Sequence, residues 1–185
     1  MAPENRAPER QADLLTELAG QRALNLYEAR KLCCSEAVLL TLNHGFGGGL
    51  SETGILSLAA GFCGGIGEAG CLCGSLAGSV AGLGLFLAPH LPDGLNKKDF
   101  RTVCKEMHDR FAGLQGTTCC RELCRPFRQD RRARLANCGR LTSEAAAIAV
   151  RLLLGRRPAL AGSADLDFLR QRDTRLGALL RQVTG

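Results

Sequence analysis

Apolar residues recur along the chain at three- and four-residue spacing, and no segment alternates cleanly with period two. Only five valines and three isoleucines occur, so strand formers are scarce and the pattern predicts an all-α fold, a compact helical bundle. A first helix is expected over residues 11–31, with Leu14, Leu18 and Tyr27 turned inward, and a second over 34–43 carrying Ala37, Val38 and Leu42. The glycine run at 45–49 ends the second, and Ser51 can cap a third that runs through Ile55 and Leu58 to Gly61. A glycine-rich hinge over 61–70 leads to a fourth helix, 70–87, which Pro89 stops. Asn96 followed by Asp99 reads as the capping box of a fifth helix, whose Phe100, Val103, Cys104, Met107 and Phe111 share one face. A short helical turn over 118–123 ends before Pro126, and Thr142 opens a last core helix over 143–154 that stops at Gly155.

The 185 residues and 45% apolar content suit one domain with its own core. The expected organisation is a disordered N-terminus over 1–10, a helical domain over 11–155, a linker over 156–164 and a C-terminal basic amphipathic helix over 165–185. No export signal is legible in the first residues, which points to a cytoplasmic, reducing setting where thiols stay reduced. Residues 69–89 carry no charge over a length that would span a bilayer. With no second such segment to pair with, a buried helix is expected instead of a membrane span. Gly74, Gly78 and Gly82 stand four residues apart there and would let a neighbouring helix approach closely, whether within one chain or across a homodimer.

Ten cysteines are more than packing asks of a domain with an adequate core. None are spaced C-x-x-C, which removes the zinc-ribbon and thioredoxin signatures, so any thiol site must be assembled by folding. Cys34, Cys73, Cys120 and Cys138 each stand near the start of an expected helix, where the helix dipole favours thiolate and lowers the thiol pKa. Clustered thiols can bind a soft metal, hold an iron–sulfur cluster, or cycle between dithiol and disulfide.

The order and context of these four cysteines resemble the redox-active family named for its pattern C…CGAxxG…C…C (C_GCAxxG_C_C). The residues that carry the resemblance are Cys34 before Ser35-Glu36-Ala37-Val38, the stretch Cys73-Gly74-Ser75-Leu76-Ala77-Gly78, Cys120 before Arg121-Glu122-Leu123, and Cys138. The glycine-rich hinge of the family precedes the second cysteine here too, at 61–67. Ser75 departs from the pattern, which has alanine there. The resemblance spans about residues 26–154 and implies a small helical domain with four functional cysteines, similar to the cysteine-bearing part of split-Soret cytochromes, which looks like an iron–sulfur module.

Cys33, Cys63, Cys71, Cys104, Cys119 and Cys124 lie outside that pattern. Taken singly, each reads as a small buried hydrophobe. Their spacing also allows Cys71 with Cys73, or Cys120 with Cys124 one helical turn on, to share a site, and Cys33 or Cys119 to replace its neighbour. Gly65-Ile66-Gly67-Glu68-Ala69-Gly70 spells a dinucleotide fingerprint, but no strand precedes it and no acid follows at the required distance. Those glycines are expected to turn the chain and bring its backbone close to a bound cluster. Seven arginines against two acids over 121–140 form a basic patch that suits an acidic redox partner; with so few aromatic residues, nucleic acid is not expected. His44, His90 and His108 are isolated, with His108 one turn beyond Cys104.

The sequence therefore points to an iron–sulfur cluster held by Cys34, Cys73, Cys120 and Cys138, exchanging electrons with a partner oxidoreductase. The alternatives are a metal-free thiol–disulfide oxidoreductase using Cys34 and Cys73, and a structural zinc module.

Overall fold

The computed structural model describes residues 7–174, and among them eight α-helices and no strand. In chain order these are α1 (Ala7–Ala29), α2 (Cys34–Phe46), α3 (Glu52–Ala59), α4 (Gly74–Leu87), α5 (Lys97–Gln115), α6 (Cys120–Cys124), α7 (Arg131–Arg156) and α8 (Leu166–Arg170). No helix among the described residues is long and apolar enough to cross a membrane.

Local chemistry sets many of the boundaries. Glu36 reaches back to the Cys33 backbone N–H at 2.7 Å to begin α2, and Gly47 in the left-handed region ends it. Ser51 and Asn96 accept the Gly54 and Asp99 N–H groups at the starts of α3 and α5. Asp130 does the same for Ala133 at the start of α7.

Pairwise contacts fix how the helices run. Moving up α1, Asp13 pairs with Arg151, Gly20 abuts Ser143 and Leu24 abuts Gly139, so α1 and α7 are antiparallel. Cys34, Ser35 and Leu42 meet Gly74, Gly78 and Gly82 in turn, so α2 and α4 run parallel at close range. A Cβ at Gly78 would stand 2.6 Å from the Ser35 carbonyl, which is why the glycine stripe is needed for this approach. Ser75 and Ser79 meet Thr142 and Ala145, so α7 is parallel to α4 as well. Helix α5 runs antiparallel to α7, with Glu106 near Arg156 and Gln115 bonded to Glu144. The starts of α2 and α4, the ends of α1 and α5, and the Cys138 level of α7 consequently share one end of the bundle.

Several expectations need correction. Helix α1 begins at Ala7, inside the stretch expected to be disordered, and buries Leu15, Ala19, Ala23 and Leu26 while Leu14 is exposed and Leu18 and Tyr27 are half-buried. The inward stripe is shifted by one residue because α7 packs through small residues against Ala19, Gly20 and Ala23. Leu58 faces out of α3, since Ile55 and Ala59 make its contact with α2. Helix α7 starts at Arg131, three turns before Thr142. The 156–164 stretch contains a 3-10 turn at Pro158–Ala161 whose Leu160 and Ala161 pack on the core. Helix α8 ends at Arg170 and residues 171–174 are not helical, while the rest of the expected terminal helix lies outside the described residues. Asp173 instead pairs with Arg22 at 2.9 Å, both side chains almost wholly buried.

Candidate functional site

The shared end of the bundle opens into a cavity of about 1270 Å³ lined by Cys34, Cys120, Cys124 and Cys138. Cys33 and Cys63 also line it, joined as a disulfide that ties the start of α2 to the loop after α3. Cys73 is buried behind the wall, 4% exposed, and interacts electrostatically with Cys34, Cys120 and Cys124. All four cysteines of the sequence pattern therefore meet at one place.

Each arrives there by a local device. Cys34 begins α2 and Cys73 caps α4, and Gly74 lets them close together: a Cβ there would fall 2.6 Å from the Cys34 sulfur and 2.8 Å from the Phe62 carbonyl oxygen. Cys120 is aligned by a short antiparallel strip, in which the Cys73 N–H donates to Thr118 at 2.8 Å and the Cys120 N–H to Cys71 at 2.6 Å. The Arg121 N–H donates to Gly70 at 3.0 Å and its guanidinium to Ala69 at 2.7 Å, extending the strip. Gly65, at φ 76°, lies where a Cβ would be 2.7 Å from that of Cys120, so the glycine-rich loop bears directly on the thiol site. With no strand before it, the loop is a backbone cradle and no dinucleotide turn.

Cys138 differs from the others, because it lies two turns inside α7 and not at a helix start. It reaches the same level because Thr142, one turn on and bonded back to the Cys138 carbonyl, stands opposite Ser75 in the first turn of α4. Its sulfur is 3.8 Å from that of Cys124. Cys124 is thus a fifth thiol of the site, and the four-residue spacing from Cys120 was its signal in the sequence. Tyr27 was a missed member: its phenol lies against Cys138, and burial with the nearby Cys138 and Cys34 sulfurs raises its pKa.

The expectation of lowered thiol pKa values is overturned. Burial, then the neighbouring Cys73, pushes Cys34 up to about 11, and burial, then Cys124, pushes Cys120 up to about 12. Cys73 and Cys138 are likewise raised, first by burial. Helix-start N–H groups and the Ser75 hydroxyl favour the thiolates of Cys34 and Cys73, but desolvation outweighs them. Burial thus favours the protonated form of Cys34, Cys73, Cys120 and Cys138.

The remaining cysteines stand apart. Cys71 is exposed, Cys119 bonds the Gly70 carbonyl at 3.2 Å, and Cys104 is half-buried on α5 away from the cavity. His108 contacts Asp109 at 3.0 Å, and His44 packs against Phe168 at the other end of α2. Among the described residues, no three Cys, His, Asp or Glu side chains are gathered closely enough to hold a single metal ion.

An all-helical domain with thiols drawn from four segments to one end defines a class of small cysteine-rich redox proteins. The chain belongs to the family described as "Putative redox-active protein (C_GCAxxG_C_C)", whose model matches residues 32–152. No curated protein and no solved structure matches it.

Proposed function

We propose that this protein is an electron-transfer module whose Cys34, Cys73, Cys120 and Cys138 hold an iron–sulfur cluster and whose redox partner is an oxidoreductase. The observation that carries this reading is the meeting of Cys34, Cys120, Cys124 and Cys138 at one cavity, with Cys73 buried beside them, while Cys71, Cys104 and Cys119 stay outside it and Cys33 and Cys63 are joined as a disulfide. An all-sulfur donor set suits iron–sulfur chemistry. Ligands of a multi-iron cluster bind different irons, so they need not crowd as the ligands of one ion do. When bound, such a cluster supplies one-electron transfer. The chain's own contribution is to release the four thiol protons on ligation, exclude water by burial, and point helix-start N–H groups at Cys34 and Cys73. Anaerobic loading with iron and sulfide should give visible charge-transfer absorption and bound sulfide. Cys34→Ser, Cys73→Ser, Cys120→Ser and Cys138→Ser should each diminish both, and Cys104→Ser neither. A colourless product without bound sulfide overturns the reading.

One contact favours a second reading, a metal-free thiol–disulfide oxidoreductase. Cys124 and Cys138, at 3.8 Å, are placed to give up two protons and two electrons and form a disulfide while a substrate disulfide is reduced to two thiols. A two-electron thiol titration in colourless protein, abolished by Cys124→Ser, is its signature. Stoichiometric colourless metal would mark a structural zinc module.

A further inference from the structure

Six basic and two acidic side chains line the thiol cavity. Of the basic ones, Arg128, Arg131, Arg132 and Arg134 enter no ion pair among the described residues, whereas Arg121 is tied to the loop backbone. Three of these four begin α7, where the backbone already presents its positive end, with the Asp130 cap as the one nearby carboxylate of that turn. Cations there oppose the helix dipole, so the fold gains nothing locally from them. All four are exposed, which leaves their guanidinium forks free to meet paired carboxylate oxygens.

The same rim carries apolar surface. Leu135 is 45% exposed and lines the cavity along with the arginines, as do Leu32 and Ala136. Arginine beside exposed aliphatic surface is the composition of a protein contact. Nucleic acid would be better served by aromatic platforms, and the lining has one aromatic side chain, the half-buried Tyr27. The rim is also the open side of the thiol set, where anything exchanging electrons with it must come closest.

We propose that this rim, centred on Arg128, Arg131, Arg132 and Arg134, docks a carboxylate-rich face of the partner protein. The inference rests on the redox reading above and adds the chemistry of the partner. Clustered cations steer an acidic partner to the cavity mouth and set its register over the thiols.

The test uses the full metal-free chain with poly-L-glutamate as the acidic probe and neutral iodoacetamide as the thiol reagent, read cysteine by cysteine by mass spectrometry. At low ionic strength the probe should slow alkylation of Cys120, Cys124 and Cys138 and leave the exposed Cys71 and the distant Cys104 unchanged. High salt should remove the protection, as screening shortens the reach of the charges. The triple variant Arg131→Gln, Arg132→Gln, Arg134→Gln should weaken binding by about tenfold or more. Its melting curve reports whether it folds, and Arg125→Gln, outside the lining, should bind as the parent does. Equal slowing at Cys71, or unchanged binding by the triple variant, overturns the proposal. So does full protection by inorganic pyrophosphate, which would mark a small-anion pocket, or stronger protection by duplex DNA. Because the footprint is read without iron, its loss sinks the docking surface alone, and failure to load a cluster sinks the cluster reading alone.

Discussion

The Cys34 sulfur occupies the space that a side chain at Gly74 would need, with a gap of 2.6 Å to an added Cβ. Helix propensity alone would make Gly74→Ala stabilising by about 1 kcal/mol. The contact decides otherwise, because the second obstacle is the Phe62 backbone carbonyl, which cannot rotate away. Thermal denaturation should show Gly74→Ala destabilised by about 1–3 kcal/mol, as expected of overpacking. Gly113→Ala, where nothing lies within 4 Å, should gain about 0.5–1 kcal/mol. Equal effects at the two positions would mean that Cys34 and α4 are not in contact.

Arg22 and Asp173 form an ion pair shielded from water, supported by bonds from Arg22 to Asn25 and Gln171 and by the Phe168 ring 4.6 Å from the guanidinium carbon. Removing one partner strands the other charge. Asp173→Ala should cost about 3–5 kcal/mol in denaturant unfolding. Replacement of both residues by apolar ones should cost clearly less than the sum of the two single changes.

Thiol titration gives the stability a sign in alkali. The buried thiols hold their protons in the folded chain above the ordinary value of 9.0, Cys34 to about 11 and Cys120 to about 12, while the unfolded chain releases them near that value. The folded state therefore binds more protons, and stability falls as pH rises from about 9 through 11–12. Below pH 9 this contribution is fully present. Denaturation midpoints measured across this range should decline, and the Cys34→Ser variant should decline less steeply.

Ser75 stands in the first turn of α4, two residues after Cys73, and its hydroxyl is buried 3.3 Å from that of Thr142. It also favours the Cys34 and Cys73 thiolates by hydrogen bonding. In Ser75→Ala the pKa of both thiols should rise further, read as slower alkylation at fixed alkaline pH. Stability should change by only about 1 kcal/mol, since one neutral hydrogen bond is lost.

The Cys33–Cys63 disulfide closes the chain around α2 and α3. Its removal in Cys63→Ser should lower stability by about 2–4 kcal/mol, on the chain-entropy account of cross-links. The oxidised parent should show the same loss on adding reductant, and the variant should show none.

Much of this architecture was written in the residue pattern. The caps at Ser51 and Asn96, the core face of α5 at Val103, Met107 and Phe111, and the Gly74, Gly78 and Gly82 stripe are consequences of neighbours within a few positions. The family resemblance grouped Cys34, Cys73, Cys120 and Cys138, while Cys124, 3.8 Å from Cys138, stood outside that grouping.

Other features depend on contacts between distant segments. The first turns of α7 carry arginines on a weak apolar pattern, and they are helical because the Asp130 cap and the packing of Gly139 on α1 support them. The partner of Cys33 could not be read from spacing, since pairing among ten cysteines is a matter of which loops fold together. The thiol pKa values turned the same way: the helix dipole is local and legible, but desolvation is set by what the rest of the fold lays over each sulfur. Short-range hydrogen bonding and periodicity determined the pieces, and the parallel register of α2, α4 and α7, a long-range packing property, decided that their cysteines meet.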